Sequence, residues 1–568
     1  MEEISDRPTP KRGDPMNMAI SFEKRDGCAR IASLEVDGNQ FKLPLMIDFL
    51  NRNQYEPLIG KMDFGIAPYS LKIFDEKRYE VLKSRDENFI IATGLKVLPP
   101  RRLVEALIEL RSKSYVKALY TPALATPQNL PLLIYLGVDI VDNILPIIEA
   151  YKGVYMLSDA SFQIESLKEL PCSCPVCSKY TAQDLKSMEY EERSRLIATH
   201  NTTMLETQLK LIREQIKDEN LRNFIEFRSK ISPELTVMLR IADENISFFQ
   251  RFNAVFKRSM VLPTTSESFS RPEIATFFER ALKAYRPEGK TLLLLPCTAR
   301  KPYSNSRTHR ILRSCIGGLK GAREIIISSP LVVPREFELT YPAMNYDTPV
   351  TGYWSSEEIS FVAERLANFI SKGEFEKIIA HVEGGYRRVV EKASSIAGFD
   401  VVFTAEEDIL SPESIKKLRK ELEESNLEKF DLFYSIFQHM VRYQYGIELE
   451  LENYRIRGKY PDLELFSGKT RLMRIDMRYG MLDIDIPFAR MLLERDVYTV
   501  RIADFEPKGT IFAAGVLEAD ENIRPNDVVV FYNDSLFGVG IASMCGSEMV
   551  EAEKGYAIVV RKKSKFED

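Results

Sequence analysis

The 568-residue chain holds one tryptophan, four histidines and seven cysteines. No apolar run reaches the roughly 18–20 residues of a membrane span, so no membrane partner is expected. The opening Met1-Glu-Glu-Ile-Ser-Asp-Arg lacks the apolar core of a secretion signal, and the expected location is the cytoplasm. Thiols there stay reduced and serve metal or catalysis rather than disulfides. A general cationic field is missing too, since 78 Lys+Arg stand against 83 Asp+Glu, a formal charge of −5. A nucleic-acid partner would have to be held by local basic patches. No long-period repeat or low-complexity tract is present.

What is present is an ordinary globular pattern, long enough for several domains. Residues 1–20 read as a polar tail. Over 21–245, short apolar runs alternate with helical patterns, suggesting an α/β layer fold or barrel. The run "LPLLIYLGVDIVDNILP" (130–146) is expected to carry one or two buried strands, and 201–218 an amphipathic helix. The Ser/Thr/Pro-rich "LPTTSESFSRPE" marks a linker over 246–271. A second α/β domain follows over 272–410, with strands expected at 291–297, 324–333, 377–383 and 400–405. Helical patterns separate them, which favours a parallel sheet. Residues 411–492 read as a small α+β domain. The short β-like runs of 493–568 suggest a small β-barrel module.

Two clusters carry chemistry. Cys172, Cys174 and Cys177 lie within six positions, and His200 follows on a predicted helix. Cys₃His is a closed structural zinc set, leaving no open position for a catalytic water. One zinc per chain is expected. The second cluster is "PCTARKPYSNSRTH" (296–309), behind the run Thr291–Leu295. Cys297 closes a predicted parallel strand, at the sheet end where open α/β folds place ligands. Arg300, Lys301, Arg307 and the start of the next helix favour a thiolate, the form a nucleophilic cysteine needs; in the alternative reading these cations bind a substrate phosphate. Tyr303 and His309 are the expected proton carriers, and Ser306 an N-cap. At two other strand ends, Glu383 in "HVEGGYRR" and Glu338 and Asp347 in "REFELTYPAMNYDTPVTGYW" are candidate substrate carboxylates. Trp354 is either a stacking surface or core.

Cys-x-Cys-x-x-Cys with a distant His resembles the zinc site of tRNA-guanine transglycosylases, in particular their archaeal branch. "FEKRDGCARIASLEVDG" (22–38) resembles that family's opening strands. "LGVDIVDNILP" (136–146) resembles the segment with its nucleophilic aspartate, on which Asp142 falls. The resemblance covers roughly 20–245 and implies a TIM-barrel-like domain. The family's Asp-Ser-Gly-Ser/Gly-Tyr-Gln motif, which carries its second catalytic carboxylate, is not found between Asn51 and Val97, and the region before Asp142 is short. Asp142 is therefore expected at most to help hold a deazaguanine base.

Pro-Cys-x-x-x-Lys-Pro-Tyr-x-x-Ser-x-x-His is matched in full by Pro296, Cys297, Lys301, Pro302, Tyr303, Ser306 and His309. The chain thereby resembles the archaeosine synthase family. That resemblance implies action on tRNA carrying 7-cyano-7-deazaguanine in its D-loop. An amine from lysine, or else glutamine or ammonia, would add to the nitrile to form an amidine. It also implies a radical SAM enzyme as a partner, with a homodimer as one option. "GTIFAAGVLEADENIRPNDVVVFYND…GYAIVVRKK" resembles a PUA domain, with Gly515, Asp527, Gly538 and Gly540 at the expected turns. Arg561, Lys562, Lys563 and Lys565 are its expected RNA-binding cations.

Overall fold

The computed structural model describes residues 18–62, 80–82, 88–315, 321–349 and 353–566. Most of the polar tail, and part of the 51–97 stretch searched for the second carboxylate, lie outside these residues. The chain divides into two compact units, one centred on Arg30–Lys210 and the other on Leu211–Glu551. The division between these two units falls inside the helix Tyr190–Lys217.

In the first unit, strands Leu45–Ile47, Ile140–Asp142, Ala118–Tyr120 and Phe89–Thr93 lie parallel in that order. Glu80–Leu82 is added antiparallel at the edge. Among the described residues this is an open sheet, and the closure of the expected TIM-barrel is not traced. The run 130–146 also departs from expectation. Leu130–Tyr135 is a helix with Pro131 in its first turn, Ile140–Asp142 the single strand, and Ile144–Tyr151 a second helix. Proline presets helical φ at that position, so the apolar run was ambiguous in period alone. Leu205, Leu209, Ile212 and Ile216, one stripe of the long helix, are all buried.

The second unit contains a five-stranded sheet in the order Val332–Pro334, Arg323–Ile327, Thr291–Pro296, Lys377–Ala380, Val402–Phe403. All pairs are parallel except the Val332–Pro334 edge. The expected strand 324–333 is thus two antiparallel strands, split at Ser328-Ser329-Pro330. The chain leaves Thr291–Pro296 toward one side and later returns to Lys377–Ala380 on the other. The strand order therefore reverses between these two neighbours, and their carboxyl ends open a crevice. The expected linker 246–271 is packed instead. Phe249, Phe252, Phe256 and Lys257 are buried in it. Lys257 Nζ lies 2.6 Å from Asp26 and 2.9 Å from Glu273, which also accepts from Arg271 at 3.1 Å. Its polar composition comes from buried, mutually neutralising ion pairs rather than from exposure.

A four-stranded antiparallel sheet (Tyr454–Ser467 hairpin, Thr470–Asp476, Met481–Ile484) follows. In the last module, Gly538 and Gly540 lie within strand Leu536–Ala542, not at turns. A Cβ on Gly538 would stand 2.3 Å from the Lys562 carbonyl, so the neighbouring backbone requires glycine there.

Candidate active site and metal centre

Strand Thr291–Pro296 is buried along its whole length, as suits a central strand covered on both faces. Cys297 is the first residue past it, held by its N–H to the Ile327 carbonyl at 3.0 Å. Its Sγ stands 3.2 Å from the Tyr386 hydroxyl, on helix Gly384–Ala397. Burial, and then the nearby thiol, raises the Tyr386 pKa above the ordinary phenol value. Tyr386 therefore stays protonated and can donate. The two groups face a pocket of about 220 Å³, also lined by Ser329, Trp354, Glu358 and Glu383. It lies at the carboxyl ends of the two strands where the sheet order reverses. Gly384 holds a positive φ of 55°, and a Cβ on Gly385 would come within 2.1 Å of the Trp354 ring. The two glycines thus let the helix start under the indole.

The other motif residues build the loop. Lys301 is half-buried, with Nζ 4.1 Å from the Tyr346 ring centre. Burial lowers its pKa, opposed by Cys297 and Asp347. Tyr303 is enclosed and shares a hydroxyl chain with Tyr346 and Ser328. Ser306 Oγ accepts the His309 N–H at 3.2 Å, capping helix Arg307–Cys315. His309 is 1% exposed. Its Nδ1 lies 2.9 Å from Arg335 Nη2, and its Nε2 lies 2.9 Å from the Pro296 carbonyl. Guanidinium only donates, so Nδ1 accepts and Nε2–H donates, which makes the ring neutral. Burial, then Arg335, brings its pKa down to about 4. Tyr303 and His309, expected as proton carriers, are thus positioned away from the pocket with their polar atoms engaged.

Glu338, expected to touch substrate, is fully enclosed. It accepts from Ser304 N at 3.0 Å, Arg335 at 2.9 Å and Tyr460 at 2.5 Å. Its work is to hold the loop through Arg335, which also pairs with Glu324. Arg300, Arg307 and Asp347 are exposed. Glu383 alone of the expected carboxylates lines the pocket. In the first unit, Asp142 is buried, with both oxygens taken by Tyr120 Oη at 2.7 Å, Ala123 N at 3.1 Å and Ile144 N at 3.0 Å. Burial pushes its pKa up to about 6 against those bonds. This geometry makes it a tie between a strand end and a helix start.

Sequence reasoning missed Tyr386 and Arg335. Tyr386 lies 89 positions from Cys297, and the available signal was Gly-Gly-Tyr directly after a strand end. For Arg335 there was none, since an arginine in a loop reads as solvated.

Cys172, Cys174, Cys177 and His200 converge, their ligand atoms all within 4.8 Å of one another. Cys174 Sγ, Cys177 Sγ and His200 Nδ1 are mutually 3.5 Å apart. His200 Nε2–H donates to the Met156 carbonyl at 2.8 Å, leaving Nδ1 as the ligand atom. Tyr155 stacks on the imidazole at 3.7 Å and reaches Cys177 Sγ through its hydroxyl at 3.1 Å. The donor set can hold a metal ion.

Of the four expected RNA-binding cations, Lys562 pairs with Asp485 at 2.5 Å and Lys563 with Glu506. Arg561 and Lys565 are exposed. No helix among the described residues is long and apolar enough to cross a membrane.

Residues 76–233 match the queuine tRNA-ribosyltransferase family, and 274–422 a domain family of unknown function. Residues 430–493 match a pre-PUA domain and 502–563 the PUA domain. The class is that of multidomain proteins joining a transglycosylase-like module to a PUA module. Archaeosine synthase subunit alpha of Methanosarcina acetivorans is 38% identical over 81% of this chain and 77% of its own. Archaeosine synthase of Haloferax volcanii is 34% identical over 78% and 76%. A crystal structure of a protein of unknown function covers 51% of this chain and 99% of its own length, at 55% identity and a TM-score of 0.46. The chain belongs to the archaeosine synthase family.

The buried histidines give a pH prediction. Burial lowers the pKa of His309, His381 and His439 below the ordinary value near 6.5. The unfolded chain then binds more protons, so their stability contribution is complete above about pH 6.5. It is lost as pH falls toward the folded values, about 4 for His309. Each contributes a slope of at most about 1.4 kcal/mol per pH unit. In NMR titrations the His309 ring should stay neutral from pH 7 to 5, and a midpoint near 6.5 would contradict the assignment.

Proposed function

We propose that the chain modifies tRNA in archaeosine biosynthesis, adding an amine to the nitrile of 7-cyano-7-deazaguanine to form an amidine. The observation that carries this reading is the Cys297 thiol against the Tyr386 hydroxyl in a pocket at the sheet's switch point. A nitrile carbon is electrophilic, and Cys297 sulfur adds to it. The C–S bond forms, and the nitrile nitrogen takes the thiol proton through Tyr386, giving a thioimidate. The amine then attacks the same carbon, the C–S bond breaks, and Cys297 leaves as thiol. Lys301 supports the sulfur's negative charge, while Tyr303, Ser306 and His309 hold the loop. Trp354 supplies a flat wall suited to a deazapurine.

The amine donor in this reading is free lysine, with glutamine or ammonia as the competing sources and a radical SAM enzyme acting on the product. The PUA module, through Arg561 and Lys565, contributes contact to tRNA backbone. Incubating purified protein with nitrile-bearing tRNA and lysine, followed by nucleoside mass spectrometry, should show the mass of an adduct. No adduct with any donor would refute the reading. Exchange of labelled guanine into tRNA would favour transglycosylation instead.

The Cys₃His cluster suits one structural zinc ion. Zn–S bonds of about 2.3 Å imply ligand separations of about 3.7 Å in a tetrahedron, near the 3.5 Å found. Such an ion would tie the Cys172–Cys177 loop to the helix at His200 and add folding energy rather than chemistry. Metal analysis should give about one zinc per chain. Cys174→Ser should lose the metal and lower the melting temperature, whereas metal-free protein with an unchanged melt would rule out the structural role.

A further inference from the structure

The pocket holds one group that the steps above leave idle. Glu383 follows strand Lys377–Ala380, neighbour to the strand that ends at Cys297. Leu294 pairs with Ala380, and the His381 N–H continues that pairing to the Leu294 carbonyl at 3.0 Å. Counted on along both strands, Cys297 comes level with Glu383. Neighbouring strands lie about 4.8 Å apart, so the two side chains flank one crevice. Both line the same pocket.

Glu383 is also the N-cap residue of helix Gly384–Ala397, where a side chain ordinarily accepts from the first-turn N–H groups. Its carboxylate makes no such bond. The carboxylate takes a hydrogen bond from the Ile409 N–H, but its Oε2 is enclosed and has no hydrogen-bond partner among the described residues. A buried acceptor without a partner costs stability, which points to a ligand donor that completes it. Burial, then Asp408, raises its pKa above the ordinary carboxylate value, against a hydrogen bond from the Ile409 N–H that lowers it. The titratable groups around it are Cys297 and Tyr386 across the pocket, Glu358 on helix Ser356–Ile370, and Asp408 in the loop beyond the next strand. Among the described residues no lysine or arginine lines the pocket, and Lys301 lies over the Tyr346 ring on the Cys297 side.

We propose that Glu383 is a catalytic residue: it receives the protonated amine donor and takes its proton before attack. This rests on the proposed amidine-forming reaction and names the base within it. A primary alkylamine has a pKa near 10.4 and is ammonium at pH 7, without a lone pair for attack. Glu383 accepts one ammonium proton, and the freed amine forms the C–N bond at the thioimidate carbon. As the C–S bond breaks, the departing sulfur takes the second proton from the new nitrogen. The proton on Glu383 passes to the imidate nitrogen. Nitrile plus alkylammonium thus becomes amidinium, with charge and hydrogens balanced and the thiol and carboxylate restored. The acidic lining around Glu383 and Glu358 favours a donor that arrives as a cation over a neutral carboxamide.

The test compares wild type and Glu383→Gln on nitrile-bearing tRNA with two donors at pH 7. Lysine is ammonium there, whereas methoxyamine is already neutral and needs no base. With lysine the variant should fall by about 10²-fold, the lower range for general base catalysis. With methoxyamine it should stay within a few-fold of wild type. Raising the pH to 9 should narrow the lysine gap, because solvent then supplies free amine. An equal loss with both donors, or no loss with lysine, overturns the role of Glu383 while leaving amidine formation standing. Wild type that forms no adduct with either donor overturns the reaction itself and this role with it.

Discussion

Cys297→Ala is expected to abolish adduct formation, lowering the rate by about 10³-fold or more, as loss of a covalent nucleophile does. Binding of the same tRNA should change little, because alanine keeps the strand end and its N–H bond to Ile327. The thiol is half-buried and borders a pocket, so its removal leaves little new cavity and a small stability cost. Cys297→Ser is the sharper control. Its hydroxyl can keep the contact to Tyr386, yet an alcohol is a far weaker nucleophile than a thiolate. Loss in both variants, with tRNA binding retained, locates the defect in chemistry. Full activity in the alanine variant would mean that the amine adds to the nitrile directly and that Cys297 is structural. Tyr386→Phe should lie between these limits, since it removes a proton path and not the sulfur.

The largest stability effect is expected at Arg335→Met. Arg335 is 1% exposed in its side chain and joins Glu324, Glu338 and His309 beneath the motif loop. Removing the guanidinium leaves two buried carboxylates and an imidazole nitrogen without their partner. Breaking such a buried set from one side costs about 3–5 kcal/mol. Its pH dependence identifies the cause. Burial raises the Glu324 and Glu338 carboxyls most, but Arg335 together with Arg313 at Glu324, and with Ser304 and Tyr460 at Glu338, lowers them further, so both stand below the ordinary glutamate value. In the wild type their contribution is therefore complete above the unfolded pKa, near 4.3. It is lost as pH falls through the lower folded values. Without Arg335, burial dominates and both folded pKa values rise. The variant then gains relative stability on acidification, and the gap to wild type should narrow between pH 7.5 and 5.5 in urea titrations. A gap independent of pH would mean that lost packing, not unpaired charge, is responsible.

How far the site could be read in advance follows the range of its interactions. The Cys₃His set was legible because three ligands share one short loop and a histidine follows on the next long helix. The strands 291–297 and 377–383 were legible because central parallel strands are apolar on both faces. From those runs alone, Cys297 and Glu383 could be set at carboxyl ends of strands. The barrel expected of the first unit was inherited from resemblance. The described strands form an open sheet, which the local pattern of short apolar runs could not distinguish from a closed one.

Composition misled wherever charge was buried in pairs. Residues 246–271 read as a linker, and Glu338 and His309 read as groups available to substrate. A sequence reports that a residue is polar but not whether another chain segment satisfies it. Residue type and short spacing marked the candidates for chemistry, namely the thiol of the 296–309 loop and the four residues able to hold a metal ion. Only the tertiary structure decided which of them meet: the contact of Cys297 with Tyr386, the idle carboxylate of Glu383 and the enclosure of His309 depend on the order of strands in a parallel sheet, where contacts join residues far apart in the chain.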